Sequence, residues 1–318
     1  MKHVLKSLKH NGIYVPAYDV KGFKVKIQGQ LVPLTAKSEQ MATAWTKKLQ
    51  SASKPDKVFM KNFMREFLNT LRHENPHMQF FESFTPEYLA KIERCEENEI
   101  ANPDAPIHEY VDFLEIRDSV KKEKQGKEKL TPEAKKQQAA DRKVKREELK
   151  AKFGVADVDE QKLEIANWTA EPSCLFAGRG DHPQRGRWKD GPREEDIILN
   201  WPKDKDGNLL TPLPPGKWKD SVWEPNKMYV AKWQDKLTGK MKYVWFSDSA
   251  FLKQNREKEK FQKAELLGKQ IGKIEDHILR NLDDKDETRR KVATVSWLIL
   301  KPNMRVGGWP RGRRWPAF

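Results

Sequence analysis

The sequence predicts an α+β protein built from several subdomains, and three observations carry that prediction. Short runs that alternate apolar and polar residues, such as Phe23 to Ile27, are typical of strands with one buried face. Longer segments repeat apolar residues at helical spacing, as Met41, Trp45 and Leu49 do. Clusters of glycine and proline separate these segments, which favours many short elements over one large sheet.

Positive charge is the most informative feature of the composition. The 318 residues include 62 Lys and Arg against 47 Asp and Glu, a net charge of +15 that attracts polyanions. The most apolar run, Val292 to Leu300, is too short to span a bilayer, and the N-terminus lacks the hydrophobic region of a signal peptide. Cys95 and Cys174 form no CxxC pair. We therefore expect a soluble protein in a reducing, intracellular compartment.

Residues 1–119 are predicted to form an α+β subdomain. A first helix follows Thr35, a suitable N-cap, and the apolar residues of Lys57 to Arg72 predict a second helix. The run from His73 to His77, HENPH, matches a zinc-protease pattern in its letters. Pro76 breaks the helical turn that would align the two histidines, so a helix end is the preferred interpretation.

Residues 120–154 are predicted to form a basic helical arm. Between residues 120 and 153 there are thirteen Lys or Arg against six Asp or Glu. Thr131 and Pro132 are a good helix start, and Gly154 is a good stop. Two interpretations stay open and are compatible: a solvated helix with i,i+4 ion pairs, or a basic arm lying near a nucleic acid.

Residues 155–250 are predicted to be a β-rich subdomain that contains the most distinctive stretch, EPSCLFAGRGDHPQRGRW, at residues 171–188. Arg179, Arg185 and Arg187 stand among three glycines there. Because glycine permits close backbone approach, arginine forks and main-chain N–H groups can converge on a concave surface that suits a row of phosphates. The alternative is a solvated, arginine-bearing turn between two strands.

A β-hairpin is predicted around the turn at residues 234–240, where Asp235 and Gly239 are suitable turn residues. Simple alternation places Tyr229 on the same face as Ala231 and Trp233. In the second strand it places Lys242 on the face of the buried apolar residues. Such an aromatic ribbon can be plain sheet, and it can also lay lysines along a nucleic-acid backbone.

Residues 251–307 are predicted to be helical, and residues 308–318 form an atypical tail. A last helix is expected to begin near Glu287 and to end at Lys301, since Pro302 follows. The predicted buried row of the preceding helical segment consists of Phe261, Leu266, Leu267, Ile271, Ile274 and Ile278.

These motifs together resemble the DNA-binding core of eukaryotic-type (type IB) DNA topoisomerases. The resemblance runs from about Leu8 to Gly307, and its most specific piece is Glu171 to Gly186. The supporting pieces are Leu8-Lys9-His10-Asn11-Gly12, Phe59-Met60-Lys61-Asn62-Phe63, Ile165-Ala166-Asn167-Trp168, Pro214-Pro215-Gly216-Lys217-Trp218-Lys219 and Lys242-Tyr243.

The resemblance implies a cap lobe plus the first helices of a catalytic lobe, in a family whose two lobes clamp duplex DNA. It places five residues at the DNA backbone: Arg179, Tyr229, Lys242, Tyr243 and Lys260. Ala177 departs from the family, where an arginine often precedes the Gly-Arg-Gly, so one phosphate contact is expected to be missing. Because the family relaxes supercoils without ATP or a required metal, no cofactor is expected.

Catalysis in the family needs a tyrosine that forms a 3′-phosphotyrosyl bond, assisted by two arginines, a lysine and a histidine. Only the first arginine has a counterpart here, Arg305, and Leu300 and Pro302 depart from its usual setting. All six tyrosines precede Arg305, so none takes the position of the nucleophile. We therefore expect this chain alone to be inactive, as a truncated or frame-shifted product.

The expected partners are double-stranded DNA and the missing C-terminal catalytic portion, either as a separate chain or as a part lost by a frameshift; no membrane and no small-molecule cofactor are expected. Two alternatives stay open: a non-catalytic DNA-binding module, and an RNA-binding or ribosome-associated protein. A chromosome-associated location is implied, in the cytoplasm of an archaeon or the nucleus of a eukaryote. The absence of the long, charged extension that precedes the matching region in many eukaryotic relatives favours the archaeal source.

Overall fold

The computed structural model describes residues 4–304, apart from the side chains of residues 252 and 256. The chain divides into two compact units after Ala250. No helix within residues 4–304 is long and apolar enough to cross a bilayer. The elements up to the basic segment are β1 (Leu8–His10), β2 (Lys24–Ile27), β3 (Gln30–Pro33), α1 (Ala36–Leu49), α2 (Lys57–Glu74), α3 (Phe81–Arg94), α4 (Glu97–Ala101), β4 (Val111–Asp112), α5 (Leu114–Lys129) and α6 (Pro132–Phe153). Those that follow are β5 (Val155–Val158), β6 (Gln161–Glu164), β7 (Cys174–Leu175), β8 (Trp188–Lys189), β9 (Ile198–Asn200), β10 (Asp220–Val222), β11 (Tyr229–Gln234), β12 (Met241–Trp245), α7 (Phe251–Gly268), α8 (Ile271–Asn281) and α9 (Glu287–Leu300). This mixture of helices and small sheets confirms the predicted α+β class.

The first helices pack against a small antiparallel sheet of order β3-β2-β4. Gln28 and Gly29, with φ of 47° and 81°, form the tight turn between β2 and β3. Trp45 of α1 and Phe63 of α2 are both buried and stack with ring centroids 4.6 Å apart. Large buried aromatic rings stabilise a small core strongly. This core holds α2 in place, and α2 in turn contacts the arginine-bearing loop between β7 and β8.

The end of α2 decides the interpretation of the HENPH run. The helix ends at Glu74, and Asn75 is its C-cap residue. His73 therefore lies in the last helical turn, whereas His77 lies in the turn that follows. The two histidines do not share a helical face, and the predicted helix end is confirmed.

Two long helices, α5 and α6, make up the basic segment. The Thr131 hydroxyl accepts a hydrogen bond from the Ala134 N–H at 3.2 Å, and Gly154 follows the last residue of α6, so the predicted helix is confirmed at both ends. No residue of α6 is buried. Lys150 near its C-terminal end pairs with Glu164 of β6 at 3.0 Å. Helix α6 is thus fixed at one end and solvated along its length.

The unit that ends at Ala250 also contains the two-stranded antiparallel sheet β7-β8 and two larger sheets. One of the larger sheets has the order β1-β5-β6, and the other has the order β10-β9-β11-β12. His10 of β1 connects them, since its Nε2 lies 3.2 Å from the Asn200 carbonyl oxygen while its Nδ1 accepts from the Gly12 N–H at 3.0 Å. Burial lowers the pKa of His10 to about 4. A neutral imidazole therefore links β1 to the sheet that carries the hairpin.

The second unit contains α7, α8 and α9. The predicted last helix is confirmed as α9, whereas the predicted buried row is wrong for most of its members. Phe261 is 72% exposed, and Leu266 and Leu267 are more than half exposed; Ile278 is buried. The physical reason is that α7 is highly charged and packing within the unit is concentrated between α8 and α9, so none of the described side chains of α7 is buried. Helical spacing shows which face is apolar, and a covering partner is what buries it.

Candidate nucleic-acid interface

The glycine-arginine stretch forms a loop that joins β7 to β8. Its base is closed by hydrogen bonds between Phe176 and Arg187 and between Gly186 and Phe176, both 2.8 Å. Gly178, Gly180 and Gly186 have φ of 69°, 55° and 86°, in the left-handed region that favours glycine. The spacing of glycines in the sequence therefore reflects the backbone path of this loop.

Gly186 brings the loop into direct contact with α2. A Cβ at this position would lie 2.1 Å from the Phe59 carbonyl oxygen, closer than any side chain can approach. Asn62, one turn further along α2, donates to the carbonyl oxygens of Pro183 and Arg185 at 2.8 and 2.9 Å. The FMKNF piece and the glycine-arginine stretch, more than a hundred residues apart in the chain, are therefore two sides of one contact.

Two of the three loop arginines are held by carboxylates of or beside α2. Arg185 Nε donates to Asp56 at 2.6 Å, and Arg187 Nε donates to Glu66 at 2.7 Å. The other oxygen of Glu66 accepts from the Trp188 N–H. Arg185 and Arg187 therefore help to fix the loop, and the convergence of arginine forks on a row of phosphates stays a prediction.

Arg179 is the loop arginine that stays available. Its side chain is exposed, and it makes no ion pair or hydrogen bond with the part of the chain that the structure describes. It follows Gly178 and precedes Gly180, where an added Cβ would meet nothing within 4 Å. A free guanidinium on a backbone that is open on one side can donate to an approaching anion in a forked geometry.

The predicted hairpin is confirmed as β11 and β12, but its faces differ from simple alternation. The register shifts between Tyr229 and Ala231, so Tyr229 pairs with Trp245 while Lys232 pairs with Tyr243. This β-bulge adds one residue to β11 and moves Tyr229 onto the face of Lys232, away from Ala231. The prediction that Tyr229 shares a face with Ala231 is therefore wrong, because alternation assumes an unbroken ladder.

The bulge assembles an aromatic face on the hairpin. The Tyr229 ring is only 1% exposed and lies 5.2 Å from the ring of Tyr243, which lies 5.2 Å from that of Trp245. The Tyr229 hydroxyl donates to Glu224, and Lys232 pairs with the same carboxylate at 2.7 Å. In this structure Tyr229 supports its neighbours from below, while Tyr243 and the 40% exposed Trp245 form the accessible surface.

Lys242 belongs to a small network at the base of the loop. Its Nζ lies 3.3 Å from one oxygen of Glu171, and Lys189 of β8 lies 2.5 Å from the other. Lys189 also pairs at 2.9 Å with Asp235 in the hairpin turn. Hydrogen bonds from Lys189 and then Lys242 hold the pKa of the Glu171 carboxyl below its usual value. The base of the loop and the hairpin are thereby joined through one carboxylate.

The remaining predicted residues are Lys260 and Arg305. Lys260 is an exposed residue of α7 in the second unit and pairs with Glu257 at 2.5 Å. Arg305 lies outside the described residues. The structure therefore brings Lys242 and Tyr243 to one hairpin, with Tyr229 beneath, and leaves Arg179 on the neighbouring loop with no measured contact to them among the described residues.

Sequence reasoning missed the ion pairs formed by five carboxylates of this region, those of Asp56, Glu66, Glu171, Glu224 and Asp235. Four of the five pair with basic residues that are distant in the sequence, so no local sequence pattern predicts these contacts. It also passed over Trp245, although alternation along β12 places Trp245 on the face opposite the buried Val244 and Phe246. The interface is consequently less uniformly basic than its composition suggests.

The fold and this surface define a basic α+β protein in which one glycine-arginine loop is fixed to a helix beside an aromatic, lysine-bearing hairpin. Residues 4–246 match the family model described as eukaryotic DNA topoisomerase I, DNA binding fragment. Residues 249–312 match the catalytic core of the same enzyme. The chain belongs to the eukaryotic DNA topoisomerase I family, as its motifs predict.

Individual relatives agree with this assignment. The chain is 31% identical to DNA topoisomerase 1 beta of Arabidopsis thaliana over 95% of its own length and 30% of the relative's. It is 26% identical to DNA topoisomerase 1 of Homo sapiens, over 95% of this chain and 36% of that protein. These relatives are eukaryotic and give no support to the archaeal source. The chain spans about a third of the length of the curated relatives it matches.

Proposed function

We propose that this chain binds double-stranded DNA through its phosphate backbone, as the DNA-binding portion of a type IB DNA topoisomerase. The proposal rests on a difference between the three arginines of the loop. Arg185 and Arg187 are paired with carboxylates, whereas Arg179 is exposed and unpaired among the described residues. The family match over residues 4–246 supports the same conclusion.

Backbone contact predicts a specific response to Arg179→Ala. Each phosphate neutralised contributes about 0.9 to the slope of log K against log salt concentration, so loss of one contact should lower that slope by about one unit. Affinity should fall by a similar factor on duplexes of different sequence. Fluorescence anisotropy on two unrelated duplexes, titrated at several salt concentrations, measures both quantities.

Arg72→Ala is the matched control, because Arg72 is an exposed arginine that pairs with Glu82 on the helical part of the unit. It removes the same charge and should leave the slope nearly unchanged. A loss confined to one DNA sequence would indicate base readout and contradict the proposal. Preference for structured RNA over duplex DNA in competition would favour the RNA-binding alternative.

For the whole protein we propose ATP-independent relaxation of supercoils through a 3′-phosphotyrosyl intermediate, on the chromosome. Arg305 is the residue of this chain that we place in the catalytic set, and Tyr229, Tyr243, Lys242 and Lys260 join Arg179 at the DNA backbone or in support of it. No cofactor enters the proposal. The chain alone, whose six tyrosines all precede Arg305, is expected to bind plasmid without relaxing it.

The partner that we propose is a catalytic portion that covers the second unit. The large exposed apolar residues of α7 and α9, such as Phe261, Leu267 and Val292, support a protein partner, since a surface of this kind usually marks an interface. Plasmid relaxation by this chain, alone and mixed with the C-terminal portion of a relative, tests the proposal. Relaxation by the chain alone, or no relaxation by the mixture together with no binding between the two, would contradict it.

A further inference from the structure

We propose that Glu171 is an internal competitor for DNA phosphate: its carboxylate occupies Lys242 in the free protein and must release it when DNA binds. This inference rests on the proposed DNA-binding function, because it concerns how one cation of that surface becomes available. It assigns to Glu171 a role in setting the affinity for DNA, which does not follow from the family match by itself.

The two lysines that share Glu171 are held very differently. Lys189 is 16% exposed and lies between two carboxylates, at 2.5 Å from Glu171 and 2.9 Å from Asp235. It is therefore saturated and structural. Lys242 is 36% exposed, and its contact with Glu171 is longer, at 3.3 Å. Of the two ion pairs, the one to Lys242 is the one that an incoming anion can displace.

Displacement requires little rearrangement. Glu171 contacts Lys189 through one oxygen and Lys242 through the other, so it can keep the first contact while it loses the second. Exposed ion pairs of this kind are weak, because solvent screens them and long side chains lose entropy to form them. A phosphate carries a charge of the same sign and offers the same oxygen acceptors to the lysine. Lys242 therefore exchanges one anion for another at small net gain.

The residual charge of Glu171 is what limits DNA affinity. After the exchange the carboxylate remains beside Lys189 and repels the nearby phosphate. Glu171→Gln removes this charge and keeps an oxygen acceptor for Lys189, which also retains Asp235. The variant should bind duplex DNA about two- to fivefold more tightly, the range expected for an exposed ion pair. Its salt slope should steepen by up to about 0.9, because in the unmodified chain the freed Glu171 carboxylate takes up a cation when Lys242 moves to the phosphate, whereas the variant has no such charge.

The decisive measurement is a double-mutant cycle with Lys242→Ala, read by anisotropy on a mixed-sequence duplex across a salt series. If Glu171 acts through Lys242, the gain from Glu171→Gln disappears in the Lys242→Ala background. If the gain persists there, or if Glu171→Gln binds no more tightly than the unmodified chain, the inference is overturned. A merely structural part for Glu171 would move the melting temperature and leave the salt slope unchanged.

Glu82→Gln is the matched charge control, because it also removes one carboxylate from an exposed pair, Arg72–Glu82 at 2.9 Å. It should leave affinity and slope nearly unchanged; an equal gain would show that net charge alone is responsible and would overturn the inference. Failure of the proposed function is distinguishable, because the unmodified chain would then fail to bind duplex DNA. If it binds and only the Glu171 effect is absent, this inference alone fails.

Discussion

Replacement of Gly186 by alanine tests whether the arginine loop depends on its contact with α2. At φ of 86° an alanine is strained by about 1–2 kcal/mol. Its Cβ would also lie 2.1 Å from the Phe59 carbonyl oxygen, which belongs to the helix backbone and cannot rotate away. Relief of such overpacking costs about a further 1–3 kcal/mol of stability. We expect Gly186→Ala to destabilise the protein by roughly 2–5 kcal/mol.

Gly180→Ala is the matched variant in the same loop. Gly180 has φ of 55°, but a Cβ there meets nothing within 4 Å, so only the backbone strain of about 1–2 kcal/mol applies. Urea unfolding followed by tryptophan fluorescence compares the two. Gly186→Ala should also weaken DNA binding, because it displaces the loop that carries Arg179. Equal destabilisation by both alanines would refute the reasoning that the loop is fixed by close approach to the helix.

Two further predictions concern stability away from the loop. Burial lowers the pKa of His10 to about 4, from 6.5 in the unfolded chain. The unfolded chain therefore takes up a proton below pH 6.5 that the folded protein does not. The free energy of unfolding should keep its full value above pH 6.5 and fall by about 3 kcal/mol as the pH drops towards 4. The urea midpoint should follow this trend and flatten in His10→Leu; an unchanged pH profile would contradict it. Thr131→Ala should cost about 1 kcal/mol of local stability at the start of α6 and speed amide exchange there. The global unfolding midpoint should not move, since α6 buries no residue, and a clear drop would disprove that independence.

Helix-capping and turn residues in the sequence were enough to predict several elements. Helix α6 begins after Thr131 and ends before Gly154, as predicted, and α1 begins after Thr35. These helix ends could be predicted because a cap acts on its own helix and needs no distant partner. The hairpin of β11 and β12 was predicted for a related reason, since Asp235 and Gly239 give the turn between two strands that are neighbours in sequence.

Contacts between distant segments could not be predicted in this way. Asp56 and Arg185 are 129 residues apart, and no spacing rule connects a helix cap to a loop arginine at that separation. The register shift after Tyr229 depends on how β11 pairs with both of its neighbours, so alternation within one strand gave the wrong face. The apolar row around Phe261 could be recognised as a pattern, but burial needs a covering surface, and the described residues of α7, α8 and α9 leave Phe261 72% exposed.

The separation between α6 and the core has an evolutionary consequence. A 22-residue helix without a buried residue imposes little packing constraint on its own sequence, except at the half-buried Phe153, whose ring lies 5.8 Å from that of Tyr14. Substitutions along it can alter charge number and spacing without endangering the fold, provided that helix formers and the terminal Thr131 and Gly154 remain. Natural variation can therefore retune the reach and the long-range field of this arm independently of the loop and the hairpin.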